Sequence, residues 1–494
     1  MNEKVLIPNR GIIALDIIHS LNRIGLETAV FYSPEDHLSL PVKMADYSYK
    51  FYSSRLEDSY LDLETIVEKA KLIGARYIHP GWGFLSESPA MARACRENGI
   101  HFIGPSEEVL AAVGDKLALR KTAANVDIPV VPASDLYRSP VDFDNKSVRQ
   151  YPVLIKPLKG LGGIGIRFAR SAQDLQEKLH ILSTDEQFRR EGVFIEEFWP
   201  DAHHIEIPFF RDVSGNILFL PEIESSIQRR FQKIFQESPS VNLPEGLLDA
   251  LYSDGEKLIR KIDYVGFGYI EFLIRNGKRY FLEINPTFQI NTLMTEIHLT
   301  QNLLKKQFAV SRGEPLHHVQ GVRVVEPKHH VMLVSLMAED PFNSFQPSSG
   351  TVNHFFHYST VRNVFKTTLY TGARVSDLYD PFIGKILTYA FKRENTLRDM
   401  RTFLDQINIR GIRTNLIFLK HLLECEQIRA GQTVVDFLKL HFDFSKRVHS
   451  EEEQLLAAAL LASDFHIDNR RKNYKQNLEK MKQPGLLKRL LRGL

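Results

Sequence analysis

The hydrophobic pattern changes period repeatedly over the first 114 residues. Lys4–Pro8 reads as a buried strand, Ile12–Ile24 as an amphipathic helix and Glu27–Tyr32 as a second strand. The spacing then predicts a helix over Leu61–Leu72, a strand over Arg76–His79, a helix over Glu87–Asn98 and a strand over His101–Ile103. This βαβ rhythm predicts a doubly wound parallel sheet, whose ligand-binding loops leave the C-terminal ends of the strands. Two such loops are Asn9-Arg10-Gly11 and His79-Pro80-Gly81-Trp82-Gly83.

Residues 115–203 read as a small α+β unit. It has helices at Lys116–Ala124 and Ala172–Leu182 and strands at Val153–Lys156, Ile166–Ala169 and Val193–Phe198. From 204 to 445 the pattern favours a mixed α+β domain. No internal repeat or low-complexity linker separates these stretches, so they are expected to share one body. Residues 446–494 form a basic helical tail. Ser450-Glu-Glu-Glu453 matches a capping box ahead of an alanine- and leucine-rich helix. Leu486-Leu-Lys-Arg-Leu-Leu-Arg492 would suit an anionic surface or a partner groove, or would simply be a solvated terminus.

A chain of 494 residues is too long for one core and implies two to four structural units. With 43% hydrophobic and 25% charged residues the composition is that of a soluble globular protein. A formal charge of +3 gives no argument for nucleic acid. The two cysteines, Cys95 and Cys425, lie far apart and argue against a disulfide framework. The N-terminus lacks a signal-peptide apolar region, and no run is long enough to span a bilayer. A cytoplasmic protein is expected.

The chemistry concentrates around Glu271 and Glu283, on neighbouring strand-like runs joined through Asn276-Gly277. Alternation makes the loop length decisive. A strict two-residue turn would put the carboxylates on opposite faces, whereas a three-residue loop at Asn276-Gly277-Lys278 pairs them on one. Together with the Asn285 carbonyl they would then form an oxygen site suited to Mg²⁺ or Mn²⁺ bridging nucleotide phosphates. Gly160, Gly162, Gly163 and Gly165 satisfy a G-x-G-x-x-G pattern. A strand rather than a helix follows, which favours a glycine-rich hairpin closing over phosphates. Lys156, at the end of the preceding strand, supplies a fixed positive charge. Trp82 is left open between stacking on a planar ligand and core packing. No metal-type cysteine/histidine cluster and no serine-nucleophile elbow is present.

The joint order of these features is that of an ATP-grasp site, and the chain from about residue 4 to 445 resembles the biotin carboxylase subunits of acyl-CoA carboxylases. The resemblance is carried by Asn9-Arg-Gly-Ile-Ile-Ala14, His79-Pro-Gly-Trp-Gly-Phe-Leu-Ser-Glu87, Gly114-Asp-Lys116 and Tyr151-Pro-Val-Leu-Ile-Lys156. It continues through Gln228-Arg-Arg-Phe-Gln-Lys233, Glu271-Phe272, Glu283-Ile-Asn285, Tyr379-Asp-Pro-Phe-Ile-Gly-Lys385 and Gly411-Ile-Arg-Thr-Asn415. It implies a three-part α/β architecture: an N-terminal doubly wound parallel sheet, a small glycine-lid subdomain and a C-terminal mixed α+β domain. It further implies that Lys116 and Lys156 contact ATP phosphates, with Glu196 at the adenine hinge, His204 and Gln228 near the ribose and Leu273 under the base. Glu271, Glu283 and Asn285 would hold the metal, while Lys233 and Gln289 would face bicarbonate. In the family, ATP phosphorylates bicarbonate and the carboxyphosphate delivers CO₂ to biotin.

The pattern breaks just after the second glutamate. Where the family carries an arginine and a general-base glutamate, this chain has Thr287 and Asn291, and a further family arginine aligns with Ser335. Phe231, Trp82, Lys159 and Leu161 are other departures. An amide has no useful basicity near neutral pH, and threonine offers no charged fork to an oxyanion. Three readings remain open. The first is an ATP- and Mg²⁺-binding relative that has lost standard carboxylation. The second is a working biotin carboxylase with substitutes such as His298, Glu296 or Lys233. The third is an ATP-grasp ligase for another carboxylate, its pocket reshaped by Trp82, Phe231 and Phe288. The resemblance implies a biotin carrier and carboxyltransferase-type subunits as partners, and a homodimer. Glu479-Lys-Met-Lys482 lacks the paired methionines of a carrier, so biotin is expected on another polypeptide.

Overall fold

Strands β1 (Lys4–Ile7), β2 (Glu27–Tyr32), β3 (Tyr47–Lys50), β4 (Tyr77–Ile78) and β5 (His101–Phe102) form a parallel sheet in the order β3-β2-β1-β4-β5. The computed structural model describes residues 3–139, 148, 150–158 and 165–442. The tail from 443 onward, with its capping box and basic helix, therefore lies outside the described residues, as do Gly160, Gly162 and Gly163.

The helix Gly11–Asn22 follows β1 because Ile12, Ile13, Leu15, Ile17, Ile18 and Leu21 supply a broad buried face. The helix after β4 begins at Pro89 rather than Glu87, since the Ser88 hydroxyl caps Met91 N–H at 3.2 Å and proline suits the first turn. Glu87 is thereby left in the loop, with a consequence for the site. The two loops expected to bind ligand meet directly: Asn9 Nδ2 donates to the carbonyls of Pro80 and Trp82, both at 2.8 Å. Gly81, at φ 75°, permits this approach, because a Cβ there would lie 2.8 Å from Asn9 Nδ2.

A small antiparallel sheet of β6 (Val153–Pro157), β7 (Arg167–Ala169) and β8 (Val193–Glu197) runs in the order β7-β6-β8. The largest sheet is built from β9 (His203–Arg211), β10 (Ile217–Phe219), β11 (Ile223–Arg229), β12 (Gln232–Ser238), β13 (Gly266–Arg275) and β14 (Lys278–Asn285). It is completed by β15 (Val322–Val324), β16 (His330–Met337), β17 (Asn363–Thr367) and β18 (Phe382–Ala390). Its main path runs β14-β13-β9-β11-β12-β16-β18-β17, with β10 bridging β9 and β15.

One core joins the first sheet to the largest: Val5, Ile7, Ile17 and Ile18 pack with Phe267, Tyr269, Phe288, Leu333 and Leu387. A second places the helices Lys116–Ala124 and Leu247–Lys261 against β13 and β14 through Leu119, Ala123, Leu251, Leu258, Ile270, Phe272 and Phe281. Burying each such phenylalanine contributes about 1.5–3 kcal/mol. The expected shared body is thus held by cores that cross the sequence divisions, and residues up to Phe442 fall in one compact unit. Among the described residues no helix is long and apolar enough to cross a membrane.

Candidate functional site

Glu271 and Glu283 are directly opposed across β13 and β14, as the chemistry required, but by a different device from the one expected. The connection is a two-residue turn, with Arg275 paired to Lys278 and both Asn276 (φ 50°) and Gly277 (φ 70°) left-handed. A bulge corrects the register: Phe272 opposes Phe281 while Glu271 opposes Glu283, leaving Leu282 as the extra residue. Leu282 packs on the cluster of Val131, Trp199, Ala202 and Leu273, with Val435 beside it. The expectation of a three-residue loop is therefore corrected, because one unpaired residue in the strand does what one more in the turn would have done.

The adjoining strand adds a carboxylate. Glu206 on β9 is in register with Glu271, so Glu206, Glu271 and Glu283 line up across three neighbouring strands. Lys233 Nζ bridges the first two, 2.8 Å from Glu206 and 2.7 Å from Glu271. Lys116 Nζ reaches Glu283 at 3.2 Å from the first turn of its helix, which Asp115 caps. His204 Nε2 donates to Glu271 at 2.6 Å, and its Nδ1 accepts from Gln228 at 2.7 Å. Burial alone would raise the Glu271 pKa, but Lys233 and His204 outweigh it and hold the carboxyl well below the ordinary range. Burial likewise opposes the charge on Lys233, and Glu206 and Glu271 overcome it. Glu87, placed in the loop by the late start of its helix, is pushed up to about 7 by burial and by Glu283, against the pull of Lys116.

Lys156 and Arg120 both ion-pair with Glu196, Arg120 at 2.5 Å, with Glu196 2% exposed. Burial opposes ionisation of Glu196, and the two cations still hold its pKa low. Leu273 lies in the apolar cluster with Trp199 and Val435 noted above, next to the Glu196-Glu197-Phe198 segment. Gly165 has φ 83°, and a Cβ there would come 3.3 Å from Pro157. Sequence reasoning did not single out Glu206, Arg120, Glu87 or Val435. For Glu206 a signal existed, since it shares a strand face with His204 two residues earlier.

Next to these charges the chemistry changes. Gln289 Oε1 lies 3.4 Å from Lys233 Nζ, and Asn291 Nδ2 donates to Glu206 at 3.2 Å. Ser335 Oγ donates to the Lys233 carbonyl at 2.8 Å. Thr287 Oγ1 and Asn291 Oδ1 are buried with no hydrogen-bond partner among the described residues. Phe231 sits in the left-handed turn between β11 and β12. Phe288 is buried in the core, edge-on to His79 at 5.6 Å. Trp82 is likewise partly buried against that core. His298 and Glu296 are not brought to Lys233. The His298 Nε2–Ser238 Oγ distance is 2.9 Å, and Glu296 accepts from Leu303 N–H.

Three carboxylates face two lysines at the centre, and the donors are hard oxygens. Asn285 turns its nitrogen to Glu271 at 2.7 Å, and an amide flip would present its carbonyl instead. Among the described residues no group of three acidic, histidine or cysteine side chains could hold a metal unaided. Mg²⁺ needs only one or two carboxylates, with phosphates and water completing the shell, and the opposed oxygens of Glu271 and Glu283 are of that kind.

The chain matches three family models in succession. These are the biotin carboxylase N-terminal domain over residues 1–110, the ATP-binding domain of the carbamoyl-phosphate synthase L chain over 115–319 and the biotin carboxylase C-terminal domain over 334–440. It is 34% identical over 447 residues to a biotin carboxylase of Haemophilus influenzae, covering 89% of this chain and 98% of that protein. It is 33% identical to the mitochondrial methylcrotonoyl-CoA carboxylase subunit alpha of Rattus norvegicus, covering 92% of this chain but 65% of that one. A solved structure that it resembles is the biotin carboxylase domain dimer of Hydrogenobacter thermophilus 2-oxoglutarate carboxylase in complex with MgADP, ADP and bicarbonate. The TM-score is 0.83 at 30% identity, covering 90% of this chain and 99% of that one. The Campylobacter jejuni biotin carboxylase in complex with β,γ-ATP gives a TM-score of 0.82 at 28% identity, covering 89% and 99%.

Proposed function

The chain belongs to the biotin carboxylase family of ATP-grasp proteins, and we propose that it binds MgATP with that family's nucleotide site while its bicarbonate and biotin chemistry is strongly weakened. The observation that carries this reading is the contrast around Lys233. Compensated carboxylates meet its ammonium, whereas Ser335 on its carbonyl, Asn291 on Glu206 and Thr287 on the same loop as Asn291 are neutral.

In this reading Lys116 and Lys156 exchange their glutamate partners for ATP phosphates, and Glu271 and Glu283, assisted by Asn285, take the metal. Mg²⁺, when bound, neutralises phosphate charge. His204 and Gln228 fix the orientation of Glu271, and the glycine-rich stretch 160–165 would offer backbone N–H groups to the phosphates. Lys233 and Gln289 would face bicarbonate. Asn291 commits its N–H to Glu206 and presents a carbonyl that takes no proton near neutral pH, so deprotonation loses its base. Acid–base catalysis alone is worth roughly 10²–10⁴ in rate. Carrier-borne biotin, a carboxyltransferase-type partner and a homodimer belong to the same proposal.

The second reading is a working biotin carboxylase, favoured by similarity that spans nearly the whole of the Haemophilus enzyme. Calorimetric MgATP titration followed by ATP hydrolysis with bicarbonate and free biotin separates the two. Tight MgATP binding with little bicarbonate stimulation is expected. Full stimulation would overturn the proposal, stimulation by another carboxylic acid would point to a different ligase, and absence of MgATP binding would remove both readings.

A further inference from the structure

Lys385 is among the largest fully buried side chains and lies outside the residues the resemblance assigns to the site. Its ammonium is 2.6 Å from Asp16 Oδ2 and donates to the carbonyl of Ile290 at 3.0 Å. Ile290 stands between Gln289 and Asn291, whose side chains reach the two partners of one ion pair, Gln289 to Lys233 and Asn291 to Glu206. A displacement of this one peptide group therefore moves both.

We propose that Lys385 is a positioning residue: with Asp16 as its counter-charge, it fixes the loop 286–292 through the Ile290 carbonyl and so sets the acceptor half of the site. The loop has no strand pairing of its own between Asn285 and the helix Thr292–Leu299. Its internal support is two backbone bonds, Thr292 N–H to Gln289 O at 3.3 Å and Met294 N–H to Asn291 O at 2.9 Å, with the Thr292 hydroxyl donating to the same Gln289 carbonyl at 2.9 Å. Burying an ammonium is costly unless it is paired and its donors are used, and a hydrophobic side chain of similar volume would usually serve stability as well. The pair is therefore better explained by the carbonyl it holds than by cohesion.

The surroundings support this. Lys385 is directly opposed by Ser335 on one side and by Lys366 on the other. Two lysines face to face repel, and Asp16 relieves both, with its Oδ1 4.0 Å from Lys366 Nζ. With its charge matched by Asp16, Lys385 is not a free cation replacing a missing arginine. Asp16 itself stands on the helix Gly11–Asn22, so the acceptor loop is tied to the N-terminal sheet through two side chains.

The role of Gln289 and Asn291 rests on the proposed function, so the test carries a readout independent of turnover. Lys385→Met, Lys385→Arg and the charge-neutral double variant Asp16→Asn/Lys385→Met are compared by hydrogen exchange, MgATP titration and bicarbonate-dependent hydrolysis. Exchange in peptides covering 286–294 should rise about tenfold in Lys385→Met and in the double variant, with exchange elsewhere and MgATP affinity nearly unchanged. Where hydrolysis is measurable, the KM for bicarbonate should rise more than kcat falls. Lys385→Arg should restore most of the protection. Unchanged exchange in the loop of either folded methionine variant, or arginine and methionine variants behaving alike, would overturn the proposal. A wild type without bicarbonate stimulation would count against the functional reading only, because the exchange pattern still decides the positioning role.

Discussion

The proposed nucleotide half and the proposed acceptor half of the site share Lys233 but hold themselves together differently. In the nucleotide half Glu196 sits between Lys156 and Arg120, and Glu271 between Lys233 and His204. Each charge there is buried against an opposite one, so removing a single partner strands another. In the acceptor half the groups are amides and hydroxyls, some without a partner among the described residues, and the loop that carries Thr287, Gln289 and Asn291 gives its Ile290 carbonyl to Lys385. Charges bound to one another can be re-paired by an incoming phosphate or metal. Neutral groups can orient a ligand but cannot take its proton. On the proposed function, this division separates a part prepared for its ligand from a part altered in it.

The difference can be broken most severely at Glu196. Glu196→Ala leaves Arg120 and Lys156 buried without a counter-charge and should cost about 3–5 kcal/mol of stability, read by denaturant unfolding, together with most of the MgATP affinity. A cost below about 1 kcal/mol would show that the three groups are solvated after all.

Acid should attack beneath the acceptor loop, at His79, whose ring packs on Phe288. The neutral tautomer uses both nitrogens: Nδ1 accepts from Gly81 N–H at 3.1 Å and Nε2 faces Gln307 Oε1 at 3.3 Å. Burial lowers its pKa from 6.5 to about 4. A lowered histidine contributes stability that is complete above the unfolded value and is lost as pH falls from 6.5 towards 4. The loss should reach about 3 kcal/mol. Stability measured across that range for wild type and His79→Asn should show a shallower slope in the variant, and parallel slopes would refute the assignment.

The smallest effect is expected at Thr287. Its hydroxyl is buried and has no partner among the described residues, so Thr287→Val removes an unsatisfied group while keeping the shape. The variant should be as stable as wild type or more stable by up to about 1 kcal/mol, with MgATP binding intact. A clear loss of melting temperature would instead reveal a partner for that hydroxyl, such as an ordered water.

Much of this was legible along the chain, and the misses have definite physical causes. The parallel sheet followed from period changes, and β2 and the helices Lys116–Ala124 and Ala172–Leu182 have the expected bounds. The strand β3 gave no such signal, because Tyr47–Lys50 is largely exposed and belongs to the sheet's edge. Asn276-Gly277 announced a hairpin, yet the convergence of Glu271 and Glu283 depends on a bulge at Leu282. That bulge packs against residues from distant parts of the chain, which local propensity does not encode. Ser88 and Pro89 fixed the start of a helix two residues late and so left Glu87 facing Glu283.

By itself, then, the sequence determined the order of most elements, which depends on period, and carried the motifs of the resemblance, against which Thr287, Asn291 and Ser335 read as departures. Tertiary structure alone decided which charges neutralise one another, through Glu206 beside Lys233 and Arg120 beside Glu196. It also decided which carbonyl Lys385 holds. Those partners lie as much as 95 residues apart, and burial with pairing across strands, rather than spacing along the chain, selects them.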